Sequence, residues 1–70
     1  MDIRQVLGRN VRTLRMSAGM SQEELAARMD VDQAYVSRLE AGDLNPTVLT
    51  VWHAAQALNA TTASLLSEGE

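Results

Sequence analysis

The chain contains no cysteine. That removes a disulfide framework, a thiolate metal site and a cysteine nucleophile together, and the single histidine, His53, is not enough to build a metal site alone. No apolar run approaches the roughly 20 residues that a membrane span requires. The N-terminus also lacks the basic-then-apolar pattern of a secretion signal. Internal repeats, low-complexity stretches and strand-like alternation are missing as well. Also absent are a nucleophile-base pair, a phosphate-cradling glycine loop and a convergent pair of acids, so catalysis is not expected; Ser21, Ser37 and His53 have structural or surface explanations. What is left is one small, metal-free and cofactor-free domain, expected in the cytoplasm. A domain of this length buries only roughly 60% of the surface its unfolded chain exposes, so its stability is modest unless a partner adds burial.

What the chain does have is a set of closely spaced helix ends. Ser21 followed by Glu24 has the spacing of a capping box, with Met20 and Leu25 placed as the hydrophobic staple around it. Asp32 is a second cap, flanked by Val31 and Val36 at the same spacing. The stretch QEELAARMDVDQAYVSRLEA, from Gln22 to Ala41, therefore predicts two short helices joined by a tight turn over Met29-Asp30-Val31. Leu25, Ala26 and Met29 form the inner side of the first helix, and the small Ala26 sits where the two cross. This is the pattern of a helix-turn-helix DNA reader.

Around it the periodicity predicts three more helices. The first runs from about Asp2 to Ser17, with Ile3, Leu7, Val11, Leu14 and Ala18 as its apolar stripe, and stops at Gly19. The third, from about Gln33 to Ala41, turns Val36 and Leu39 inward and ends at Gly42. Asn45-Pro46-Thr47 announces a fourth that continues to about Leu58, with Val48, Val51, Ala54, Ala55 and Leu58 suited to the inside. Thr61 or Thr62 caps a short fifth helix that ends near Ser67 and brings Leu65 to the core. The expected fold is all-α, with residues 1–67 as the domain and 68–70 as a disordered tail.

The segment resembles the phage-repressor (Cro/CI, or XRE-type) helix-turn-helix family, and the resemblance covers nearly the whole chain. Arg15, Gly19, Ser21-Gln22, Leu25-Ala26, Val36-Ser37, Leu39-Glu40, Gly42, Asn45-Pro46-Thr47 and Ala57-Leu58 all keep the family's spacing. It implies a compact five-helix, lambda-repressor-like domain with the helix-turn-helix at helices 2 and 3. The chain departs from the pattern at Asp30, where the family usually has glycine. Aspartate is among the few other residues that tolerate a left-handed backbone, so a modest strain and an unchanged turn are expected.

A third helix lying in a major groove reads bases through its N-terminal turn and the face opposite Val36 and Leu39: Gln33, Ala34, Ser37 and Arg38. Gln suits adenine N6 and N7 and Arg suits guanine O6 and N7, while the short Ala34 and Ser37 let the helix sit deep against a thymine methyl. Arg38 can pair with a phosphate instead. Gln22 resembles a family position that holds the DNA backbone and braces the first base-reading residue. Tyr35 either offers its hydroxyl to a phosphate or packs its ring on helix 2. Asn45 and Thr47 are phosphate candidates at the start of helix 4, where Thr47 also serves as a plain cap, and Arg9 and Arg12 are weaker candidates on helix 1. Arg15 and Glu40 are placed by the resemblance as a partly buried ion pair joining helix 1 to the end of helix 3.

The net charge of -3 has the wrong sign for a protein that approaches phosphates. Its distribution matters more: up to Gly42 the six Arg balance six acids, and the excess comes from Asp43, Glu68 and Glu70. Weak non-specific binding is expected, with specific sites held mainly by paired subunits. Leu49, Trp52 and Gln56 share one flank of helix 4, and with His53 and Leu66 they form the expected seam of a symmetric homodimer. The alternative is that Trp52 folds back over the core edge beside Ala54. Together these features predict a transcriptional regulator that binds a palindromic operator in double-stranded DNA and either blocks RNA polymerase or contacts it. No effector domain follows, so its response would depend on concentration, without a small-molecule effector. The competing reading is a protein-interaction module of the same fold, such as an antitoxin or antiactivator, or a domain of a longer regulator.

Overall fold

The computed structural model describes residues 2–68, so the expected tail at 68–70 lies outside the described residues apart from Glu68. Five helices follow in chain order: α1 (Ile3–Ser17), α2 (Gln22–Met29), α3 (Gln33–Glu40), α4 (Val48–Ala57) and α5 (Thr62–Leu65). Among the described residues there is no strand, and no helix is long and apolar enough to cross a membrane.

Each helix begins at a side chain that accepts a backbone N–H left open by the helical ladder. Asp2 accepts from Arg4, Ser21 from Glu24, Asp32 from Tyr35, Thr47 from Thr50 and Thr61 from Ser64, at 2.8 to 3.1 Å. The capping box is complete, because the Glu24 carboxylate in turn accepts the Ser21 N–H at 3.0 Å. A cap of this kind is worth about 1 kcal/mol. At the first one, the side chain and backbone N–H of Arg4 hold the Asp2 carboxyl down at about 2, against its ordinary 3.8.

Between α2 and α3 the chain reverses at Asp30, whose φ of 59° and ψ of 43° are left-handed. The Val31 N–H reaches back to the Ala26 carbonyl at 3.0 Å and the Asp30 N–H to Ala27 at 3.3 Å, closing the end of α2 over its last carbonyls. The α2–α3 and α1–α3 pairs form the main body, with α4 against α2 and α5 closing against α1 and α4.

The core takes Leu7 and Val11 from α1, Met20, then Leu25, Ala26 and Met29 from α2. Val36 and Leu39 come from α3, Ala54, Ala55 and Leu58 from α4, and Leu65 from α5. Burying one side chain such as Leu25 or Leu65 contributes about 1.5–3 kcal/mol. Three expectations are corrected. In α1, Val6 is fully buried while Ile3 and Ala18 are exposed, because the face that meets the core is centred on Val6, Leu7 and Val11 and the two helix ends overhang it. Val48 is 86% exposed. It is the first residue of α4, and the inward row of that helix, Val51, Ala54, Ala55 and Leu58, starts one turn later. The fifth helix ends at Leu65 rather than near Ser67. Asn10 of α1 holds that end, its side-chain amide donating to the carbonyls of Leu65 at 2.8 Å and Ser67 at 2.9 Å.

Candidate nucleic-acid interface

Helix α3 buries Val36 and Leu39 and turns Gln33, Ala34, Ser37 and Arg38 to solvent, so the four residues named as base readers share one open face. The polar groups beneath that face are linked. The Arg15 guanidinium grips the Glu40 carboxylate in two places, Nε to Oε2 at 2.6 Å and Nη2 to Oε1 at 3.1 Å, and its Nη1 donates to the Met20 carbonyl at 2.8 Å. Only 12% of the Arg15 side chain and 5% of the Glu40 side chain are exposed. The hydrogen bonds that the Arg15 guanidinium donates to the Glu40 carboxylate raise the Arg15 pKa above its ordinary value. A pair this enclosed and this well bonded ties α1 to the end of α3.

From Glu40 the network runs outward. Gln22, at the first position of α2, donates from Nε2 to Glu40 Oε1 at 3.0 Å, and its own Oε1 accepts from Gln33 Nε2 at 2.9 Å. Gln22 thus touches the first residue of α3 directly, as the resemblance implied. Its link to Glu40 was not foreseen, since no local pattern relates positions on two different helices.

The remaining named residues separate into those near this face and those away from it. Arg12 lines a shallow polar groove of about 300 Å³ with Arg15, Gln22, Ser37 and Glu40, beside the base-reading face. Arg9 is exposed on α1 and does not line that groove. Among the described residues, Arg9, Arg12, Arg28 and Arg38 have no carboxylate within ion-pair distance, which leaves their charges open to an anionic partner. The Tyr35 ring packs against the core and is partly buried, while its hydroxyl makes no hydrogen bond among the described residues, so the two readings of this residue are compatible. Thr47 is engaged as the cap of α4, its hydroxyl within 3.1 Å of both the N–H and the hydroxyl of Thr50. Asn45 is exposed and lines a small groove with Ile3 and Arg4, near the start of α1.

Trp52 and Leu66 line an apolar groove of about 310 Å³ together with Pro46, Val48, Val51 and Thr62. Trp52 stays 48% exposed and does not fold onto the core. His53 stands edge-on to it, ring centroids 5.3 Å apart. Leu49 and Gln56 are exposed on α4 but do not line the groove; Val48, expected inside, does.

Two short helices joined at a left-handed turn, the second presenting polar residues on an open face, define a helix-turn-helix DNA-binding domain. Known proteins agree. The HTH_3 helix-turn-helix family model matches residues 11–66. An uncharacterized HTH-type transcriptional regulator, y4dJ, of Sinorhizobium fredii is 43% identical over 67 residues, 96% of this chain and 87% of that one. The control protein C.SmaI of Serratia marcescens is 36% identical, over 96% of this chain and 80% of its own. In structure the chain is similar to the hypothetical transcription factor NHTF from Neisseria, with a TM-score of 0.90 at 38% identity, over 94% of this chain and 76% of that one. The chain belongs to the HTH_3 (XRE, Cro/CI-type) family of DNA-binding transcriptional regulators, which are not enzymes.

Proposed function

We propose that the protein binds a palindromic operator as a homodimer, each subunit laying α3 in a major groove, and regulates transcription from there in the cytoplasm. The reading rests on the braced Gln33 side chain at the open start of α3. Its amide retains one N–H and an acceptor oxygen, the pair that adenine N7 and N6 require. Ser37 and Arg38 follow on the same face and extend readout along the groove. Ala34 lets the helix approach closely. Gln22, Arg12, Arg9, Tyr35, Asn45 and Thr47 are the proposed phosphate contacts, and backbone N–H groups at helix starts assist a chain whose net charge is -3. Whether the operator lies across or beside the polymerase site decides between repression and a productive contact with RNA polymerase.

The second subunit is needed because one short helix reads few base pairs. Val48, Trp52 and Leu66 supply the centre of the proposed seam, with Leu49, His53 and Gln56 at its rim. Two recognition helices then stand about 34 Å apart on one face of the duplex.

In vitro selection of bound DNA from a random pool tests the reading. The expected result is a two-fold symmetric site with half-sites about one helical turn apart, and affinity that falls as salt rises. A pool without enrichment, or binding indifferent to salt, overturns it. The apolar groove favours one rival, a protein-interaction module of the antitoxin kind. In that case the chain alone sediments as a monomer and no operator is enriched.

A further inference from the structure

Four side chains form a single hydrogen-bonded line from the interior to the open face: Arg15, Glu40, Gln22 and Gln33. The two inner members cannot reverse. A guanidinium only donates and an ionised carboxylate only accepts. The two outer members are amides, and an amide can turn over, exchanging its donor end for its acceptor end. Because Glu40 Oε1 must receive a hydrogen, Gln22 faces it with Nε2. Gln22 therefore faces outward with Oε1, and Gln33 must answer with Nε2. What remains free on Gln33 is one N–H and the carbonyl oxygen, in a fixed order.

We propose that Glu40 is a positioning residue for base readout: anchored by Arg15, it sets through Gln22 which end of the Gln33 amide faces DNA, and so selects adenine over guanine at that base pair. The proposal rests on the operator-binding reading above. Adenine offers the N6 donor and N7 acceptor that this order complements, whereas guanine offers two acceptors, O6 and N7, and sets O6 against the Gln33 oxygen. Enclosure of the inner pair makes the setting firm, since Glu40 is held by three hydrogen bonds from Arg15 and Gln22.

Glu40→Gln makes the line reversible. Its new amide can accept from Arg15 Nε through oxygen and donate to Gln22 through nitrogen, giving up the bond from Arg15 Nη2, and this turns Gln22 over and then Gln33, leaving both Gln33 N–H groups free for guanine O6 and N7. Gln22→Ala cuts the line while leaving the Arg15–Glu40 pair intact. Selection from a random pool is run on the wild type, both variants and Gln33→Ala, the last marking which base pair Gln33 reads, with melting temperature recorded beside it. At that base pair the adenine-over-guanine ratio should fall about tenfold in Glu40→Gln, with guanine gaining, and should relax toward no preference in Gln22→Ala. A purely structural Glu40 would lower melting and weaken all sequences alike, with the same base preferred. An unchanged ratio in Gln22→Ala, or in a folded Glu40→Gln, overturns the proposal, as does a Gln33→Ala variant that loses preference nowhere. If Glu40→Gln does not fold, Gln22→Ala decides. A wild type that enriches no sequence is a different failure, because it removes the operator reading itself.

Discussion

Gly8 in α1 lies so close to the end of α3 that a Cβ added there would stand 2.6 Å from the carbonyl oxygens of both Leu39 and Glu40. The obstacle is backbone, which cannot swing aside as a side chain would. Gly8→Ala should therefore destabilise the domain by about 1–3 kcal/mol through the forced separation of the two helices. The helix-propensity gain of alanine over glycine, about 1 kcal/mol, offsets only part of that. Urea unfolding checks the sign; a more stable variant would show that the helices do not approach this closely in solution.

The same helix pair is tied by Arg15 and Glu40. Removing one partner of an enclosed pair strands the other charge, so Arg15→Ala should cost about 3–5 kcal/mol of stability. Melting is expected to fall before base preference is tested at all. Unchanged melting together with lost DNA binding would place Arg15 at the interface with DNA instead.

At Asp30 the backbone is left-handed, φ 59°. A residue with a side chain gives up roughly 1–2 kcal/mol in that conformation, and glycine gives back part through its freer unfolded chain. Asp30→Gly should thus stabilise the domain by about 0.5–1 kcal/mol and leave the turn as it is. The readout is the urea midpoint at constant slope. A destabilised variant would mean that the Asp30 side chain does more than tolerate its turn.

Trp52→Glu places a charge in the middle of the proposed seam. Sedimentation should then report a monomer with full helical content, and affinity for a symmetric operator should drop about 100-fold or more as the second half-site loses its linkage. A variant that remains a dimer rules out this groove as the seam.

The starts of α2 to α5 could be read from one or two residues each because a cap acts within three positions: Ser21 with Glu24, Asp32 with Tyr35 and Thr61 with Ser64 are local bonds that need nothing from the rest of the chain. The turn at Asp30 was legible for the same reason, and the inward pair Val36 and Leu39 on α3 identified which face of that helix stays open. Less of the site was legible in this way. The Gln22–Glu40 hydrogen bond joins residues on α2 and α3 whose meeting depends on how the two helices cross. Gly8, a lone glycine inside a helical pattern, was a signal of close packing that passed unnoticed.

Local chemistry in the chain was enough to determine that five helices form and about where each begins, that there are no strands among the described residues, and which residues of α3 face solvent. Tertiary structure alone decided which face of α1 is buried, that Val48 stands in the open groove beside Trp52 and Leu66, and that four polar side chains line up from Arg15 to Gln33. The physical reason is range. Caps and turns are settled by bonds between near neighbours, whereas burial and long hydrogen-bonded lines are settled by the crossing angles of helices, which only the packed core fixes.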